Sequence, residues 1–164
     1  MASTYTPIQS YTVSSSTTQI NFNSINGSYT DLILICNFGI AGGTDNMSMR
    51  FNSDTGSNYS VTWMAGNGSN AYSGRYSNQT YVLLDNYSAA TASVASVYTI
   101  QIANYSNSTT YKTALTRSNT AANATNANVG LWRSTSAITS VTLNTQGNNF
   151  ATGSTFSLYG VKSA

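Results

Sequence analysis

The sequence predicts an all-β protein: one domain over residues 1–164, folded as an antiparallel, jelly-roll-like β-sandwich of about eight to ten strands. Three observations carry that prediction. Ser, Thr and Asn fill 70 of 164 positions, while Glu and His are absent. Hydroxyl and amide side chains compete with the backbone for hydrogen bonds, so they favour strands, caps and turns over helix interiors. Apolar and polar residues also alternate at period two in short runs. These runs recur every ten to fifteen residues or so, separated by clusters of Gly, Asn, Asp and Ser, which is the spacing of a sandwich or barrel.

The apolar content needs weighing. Leu, Ile, Val and Phe total 30 residues, just under the ~20 % level that accompanies disorder. Disorder also requires high net charge and few aromatics. Here the net charge is +2, with twelve Tyr, five Phe and two Trp. Each ring can bury roughly 150–250 Å², so the chain folds.

Residues 1–15 are read as an extended N-terminal arm. Gln19 to Phe22 forms a strand that runs into Asn26-Gly27, a tight-turn pair. Leu32 to Phe38 is apolar on both faces, so it is read as a central strand covered on each side. Met47 to Phe51 alternates cleanly, with Met47, Met49 and Phe51 facing one way. Asp54 to Asn58 is a dense turn signal, with Asp and Gly supplying side-chain-to-backbone bonds and positive φ.

Tyr59 to Met64 resumes extended structure, and Asn67-Gly68 closes it. Further strands are read at Tyr81 to Leu84, Val97 to Ile102 and Tyr111 to Leu115. Residues 118–128 have no large side chain and are read as an exposed, mobile loop. Three strands follow, Val129 to Arg133, Ile138 to Leu143 and Thr155 to Val161. No fixed-period repeat appears, which sets aside propellers and solenoids.

Composition removes most catalytic chemistry. Without His there is no Ser-His-Asp triad and no Cys-His pair. Zinc would need Asp and the single Cys36. Cys36 lies in an apolar run and reads as a small buried hydrophobe. Asp31, Asp45, Asp54 and Asp85 have no motif spacing, and three sit beside turn residues, so structural roles are favoured over a carboxylate pair or a calcium site. No catalytic, cofactor-binding or metal-ligating residue is assigned, and the chain is read as no enzyme. The cations Arg50, Arg75, Lys112, Arg117, Arg133 and Lys162 are scattered, which argues against nucleic acid as a partner.

No apolar window approaches the ~20 residues of a membrane span. The N-terminus lacks a basic region followed by an apolar stretch, so synthesis in a cytosol without a secretory route is expected. The Asn-x-Ser/Thr triplets are then not glycosylated. Trp63, Tyr72, Tyr76 and Tyr87 sit among Asn, Ser and Gly, a composition that suits sugar stacking or adaptable protein contacts. Packing at sandwich edges and subunit seams is the favoured alternative.

Three segments carry a family resemblance that runs from about residue 28 to the C-terminus. Arg50-Phe51-Asn52-Ser53-Asp54-Thr55-Gly56-Ser57-Asn58-Tyr59 resembles an RFNxDTGSNY pattern. Gly130 to Val141 resembles GLWRSTxAITSI, and Phe150 to Val161 resembles FAxGSxFSLYGI. Together they are similar to segments of small β-sandwich structural proteins of tailed bacteriophages and cyanophages. The resemblance implies a virion protein and carries over no catalytic residue.

Trp132 is read as a core or seam anchor, with Arg133 paired to one of the four Asp. The leading expectation is a capsid decoration, or cement, protein on the outer surface of the virion. Its partners would be the major capsid protein and copies of itself, as a homotrimer or dimer. The alternative is a tail-fibre or adhesin module that recognises a host glycan or protein, for which the loop-like composition of residues 66–80 is the motivation. A depolymerase is set aside because the acids are too few.

Overall fold

The computed structural model describes residues 4–162. In chain order the strands are β1 (Tyr5–Thr12), β2 (Gln19–Phe22), β3 (Asp31–Phe38), β4 (Thr44–Asp45), β5 (Met47–Phe51), β6 (Tyr59–Gly66) and β7 (Ala71–Gln79). They continue as β8 (Val82–Leu83), β9 (Ala90–Thr91), β10 (Ser96–Ala103), β11 (Lys112–Thr120), β12 (Ala124–Trp132), β13 (Val141–Thr145) and β14 (Thr155–Val161). Every named pairing is antiparallel, and no helix occurs among the described residues. The fold is an all-β sandwich, as the composition requires.

Eight strands form one sheet, in the order β1-β14-β3-β10-β11-β12-β6-β7. Four form the facing sheet, β2-β13-β5-β8, and β4 pairs with β9 as a short ribbon. The chain passes repeatedly from one sheet to the other. Neighbouring strands lie about 4.8 Å apart, so the large sheet is about 34 Å wide and the small one about 14 Å. The small sheet therefore covers only part of the large one.

That mismatch divides the inner face of the large sheet. Over β14, β3 and β10 the inward residues are Phe156, Leu158, Leu32, Leu34, Cys36, Phe38, Tyr98, Ile100 and Ile102. They meet Ile20, Phe22, Met47, Met49, Phe51, Val141 and Leu143 of the small sheet in one cluster. Phe38, Phe150 and Phe156 pack ring to ring within it, at centroid distances of 4.9–5.8 Å.

Where β11 and β12 meet at their shared turn, the inward residues are instead mostly polar, with Thr116, Ser118, Thr120, Asn126 and Asn128 all buried. Here the cover is the segment 83–91, which leaves the small sheet at the end of β8 and runs irregularly to β9, and its backbone carbonyls need donors. Asn128 Nδ2 donates to Leu83 O (3.3 Å), Ser118 Oγ to Leu84 O (2.8 Å) and Thr120 Oγ1 to Ser88 O (3.1 Å). Asn126 Nδ2 donates to Ser88 Oγ at 2.5 Å. The strap is thus held by side chains that an apolar core would not contain.

Several expectations are corrected. Tyr5–Thr12 is no arm but the edge strand β1, paired with β14 through a bulge between Pro7 and Gln9; residues 1–3 of the expected arm lie outside the described residues. Residues 118–128 are not a loop. They are the ends of β11 and β12, joined by a turn at Asn123, whose N–H donates to Thr120 O (2.8 Å). Their small side chains fit beneath the strap. Residues 66–80 are mostly the edge strand β7. In the β5–β6 turn, the positive φ belongs to Asn52 (50°) and Ser53 (56°) rather than to Asp54 or Gly56.

Candidate interaction surface

Two of the three motif segments, 50–59 and 130–141, converge on one another. Trp132 Nε1 donates to Asp54 Oδ2 at 2.7 Å, and its ring stacks on Tyr59 (6.3 Å, 16°). Asn52 Oδ1 accepts the N–H groups of Thr139 (2.8 Å) and Ser140 (3.1 Å), while Asn52 Nδ2 donates to Ala137 O (2.8 Å). Asp54 Oδ1 also accepts the Gly56 N–H (2.8 Å), and a Cβ on Gly56 would lie 2.8 Å from Asn58 Nδ2. In the third segment Ser154 Oγ accepts the Gly39 N–H (3.2 Å) beside the Phe150–Phe156 pair. These residues lock turns to strands, which accounts for their types without any chemistry on a substrate. Arg133 pairs with no Asp: its Nη2 donates to Ser57 O (2.7 Å) and Asn78 Oδ1 (3.1 Å). The acid of that corner is taken by Trp132 instead.

The acids are similarly committed. Asp45 accepts four backbone N–H bonds, from Asn46, Gln146, Gly147 and Asn148, at 2.6–3.2 Å. Asp31 Oδ1 accepts the Asn104 N–H (2.8 Å). Asp85 is sealed from solvent; it accepts from the Met47 N–H (3.1 Å), Asn46 Nδ2 (3.0 Å) and the Tyr98 hydroxyl (2.5 Å). Burial pushes Asp85 up to about 8, and the donors offset only part of that. Burial pushes Asp54 up too, but bonds from Trp132, Asn58 and Gly56 outweigh it and hold the carboxyl below its ordinary range. The Cys36 thiol is buried and pushed well up by desolvation, so it is an inert hydrophobe. Among the described residues no three metal-ligating side chains converge.

Of the four aromatics singled out, three are occupied within the chain. Tyr72 and Tyr87 stack at 4.2 Å, with Asn67 Nδ2 donating to the Tyr87 hydroxyl (3.4 Å). Trp63 lies flat over Gly74, where an added Cβ would sit 3.0 Å from the indole. Tyr76 alone keeps an exposed ring, on the edge strand β7. The triplet asparagines Asn26, Asn67 and Asn107 close turns, each Oδ1 accepting the N–H two residues on.

The surface that stands out is the outer face of the large sheet. Strand registers place two rows of side chains side by side across it. One runs Tyr159, Ile33, Gln101, Leu115, Val129, Thr62; the other runs Ser157, Ile35, Thr99, Arg117, Ala127, Met64. Met64 is 63 % exposed and Leu115 52 %, and Ile35 and Val129 are exposed as well.

A groove of about 570 Å³ runs from Tyr5 past Ile33, Ile35 and Leu115 to Ala127. Shallower depressions continue it beside Met64 and Val129. β3 is read from its sequence as covered on both faces, but among the described residues only its inner face is covered. An antiparallel sheet facing water normally carries polar residues outward. The signal for this surface was therefore present in β3, while Leu115, Val129 and Met64 were missed because their strands otherwise read as half-buried.

Electrostatically this face is simple. Arg75 and Arg117 lie on it, with Asp31 at the start of β3 as its one acid, and among the described residues neither guanidinium has a hydrogen-bonding partner. The other cations are engaged. Lys112 Nζ donates to Thr110 O (2.7 Å) and Thr135 O (3.1 Å), with desolvation lowering its pKa. Arg50 Nε donates to Thr80 O (2.9 Å), and Lys162 lies 5.8 Å from the Tyr29 ring.

Fold and surface together define an all-β sandwich protein in which the described residues leave the outer, largely apolar and cationic face of the large sheet bare. Comparison with protein-family models, with curated proteins and with solved structures returns no match to this chain.

Proposed function

We propose that this chain is a non-enzymatic structural protein of a phage virion, a decoration or cement protein that binds and stabilises the major capsid shell from outside. The observation that carries the reading is the bare outer face. Apolar side chains that the fold does not use surround the unpaired Arg117, and exposed patches of this kind mark binding sites. The four acids are consumed in turns and in the core, so a binding role asks nothing of them. The motif resemblance supplies the phage setting. In the same reading the copies assemble as dimers or trimers on the shell.

The alternative, a tail-fibre or adhesin module recognising a host glycan or protein, is favoured by one observation: the exposed Tyr76 beside the Tyr72–Tyr87 stack. Quantitative mass spectrometry of purified virions separates the two. A copy number comparable to that of the shell protein is expected, together with co-sedimentation of the purified protein with phage heads. A few copies confined to the tail, or binding of the purified protein to host polysaccharide without binding to heads, would favour the adhesin.

A further inference from the structure

The bare face has a size, a shape and a charge that together specify its occupant. Its extent is about 34 Å across the strands and about 26 Å along eight residues, roughly 900 Å². A standard protein–protein interface uses about 800 Å² per partner. The face is also concave, because the groove between Tyr5 and Ala127 runs into the depression beside Met64. Two concave faces of the same kind would meet at their rims and leave the grooves empty. A convex segment of another molecule fills them.

Charge points the same way. Arg117 stands near the middle of the face, between Thr99 on β10 and Ala127 on β12. Its guanidinium has no partner among the described residues. Covering it with apolar surface alone would strand a buried charge, which is costly unless a carboxylate arrives with the partner. A second copy is poorly equipped to bring one. Glu is absent from the chain, and Asp45, Asp54 and Asp85 are bonded inside their own fold. Asp31, the one acid with the same outward register, begins β3 with Oδ1 taken by the Asn104 N–H.

We propose that the groove receives a convex, apolar segment of a different protein, one whose Asp or Glu carboxylate pairs with Arg117 while its neighbours pack on Ile35, Leu115 and Val129. This rests on the binding role argued above and adds the chemistry of the partner. Arg117 would give a fork of two parallel N–H donors to that carboxylate, so Lys should substitute only in part. The apolar rows would supply most of the buried area.

The test is site-specific photo-cross-linking of the full chain in the cells that make it, with p-benzoylphenylalanine in place of the exposed Leu115. The expected result is one dominant adduct with a polypeptide of different sequence, mapped to a site beside an Asp or Glu. In that background Arg117→Glu should lower the adduct yield about tenfold or more, and Arg117→Lys should retain part of it. Both positions are solvent-facing, so unchanged thermal melting will show the variants folded. An adduct with a second copy, no protein adduct, or a yield indifferent to Arg117→Glu would overturn the proposal.

The two readings fail separately. A dominant adduct with a protein outside the shell would sink the decoration role and leave this inference standing. Co-sedimentation with heads that is unaffected by Arg117→Glu and yields no Leu115 adduct would do the reverse.

Discussion

Along β3, consecutive residues live in different worlds. Leu32, Leu34, Cys36 and Phe38 are sealed against the small sheet, while Ile33 and Ile35 look outward into the groove. The same division runs across β10, β11 and β12. The inner side is specified by the fold: apolar where a second sheet covers it, and hydroxyl or amide where the strap does. The outer side is largely apolar although none of the described residues covers it. Hydrophobicity on a strand thus records where surface is buried in the working state, which need not be within one chain.

Breaking the inner side should cost most. Leu34→Ala removes a fully buried side chain and should destabilise by about 2–5 kcal/mol in urea unfolding. Ile35→Ala, one residue along on the bare side, should cost less than about 1 kcal/mol. Equal losses at the two positions would erase the distinction.

The next effect is the pH dependence set by Asp85. Its carboxyl titrates near 8 in the folded protein, against an ordinary value of 3.8. Between those values the folded state holds a proton that the unfolded state has released. Stability is therefore fully present below about pH 4 and falls as pH rises through about 8, by at most about 1.4 kcal/mol per pH unit. Asp85→Asn should flatten that slope, as chemical unfolding across pH 4 to 9 would show. Asp54, held below its ordinary range by its hydrogen bonds, acts in the opposite sense, adding stability as pH rises.

Ser118→Ala probes the polar half. It deletes the donor to Leu84 O, leaves that carbonyl unsatisfied, and should cost about 1–3 kcal/mol. Amide hydrogen exchange should then speed up in the strap at residues 83–91 before it does in β3. Smallest of all is the stability change for Arg117→Glu on the bare face, within about 0.5 kcal/mol by thermal melting, even though its effect on partner capture is expected to be large.

The sandwich was legible because alternation in β5, β10 and β14 involves large apolar side chains. Residues 118–128 were not legible. Their inward positions are Ser, Thr, Ala and Asn, whose hydropathy barely differs from that of their outward neighbours, and the strap that selects them is distant in sequence. β7 was hidden similarly, since Gly74 stands where a strand would carry a side chain and only the Trp63 ring resting on it explains the choice. Of the interaction surface, β3 alone announced itself. The unpaired state of Arg117 could not be read, because it depends on where all four acids go.

The most direct test of the bare face as the working surface is oxidative footprinting of the intact protein, free and bound to purified phage heads. Met64 is the most exposed large apolar side chain on that face. Rapid Met64 oxidation is expected in the free protein and strong protection on binding, shared by Leu115 and Tyr5, with the buried Met47 and Met49 silent in both states. Equal Met64 oxidation in both states, with protection at Tyr76 instead, would contradict this expectation.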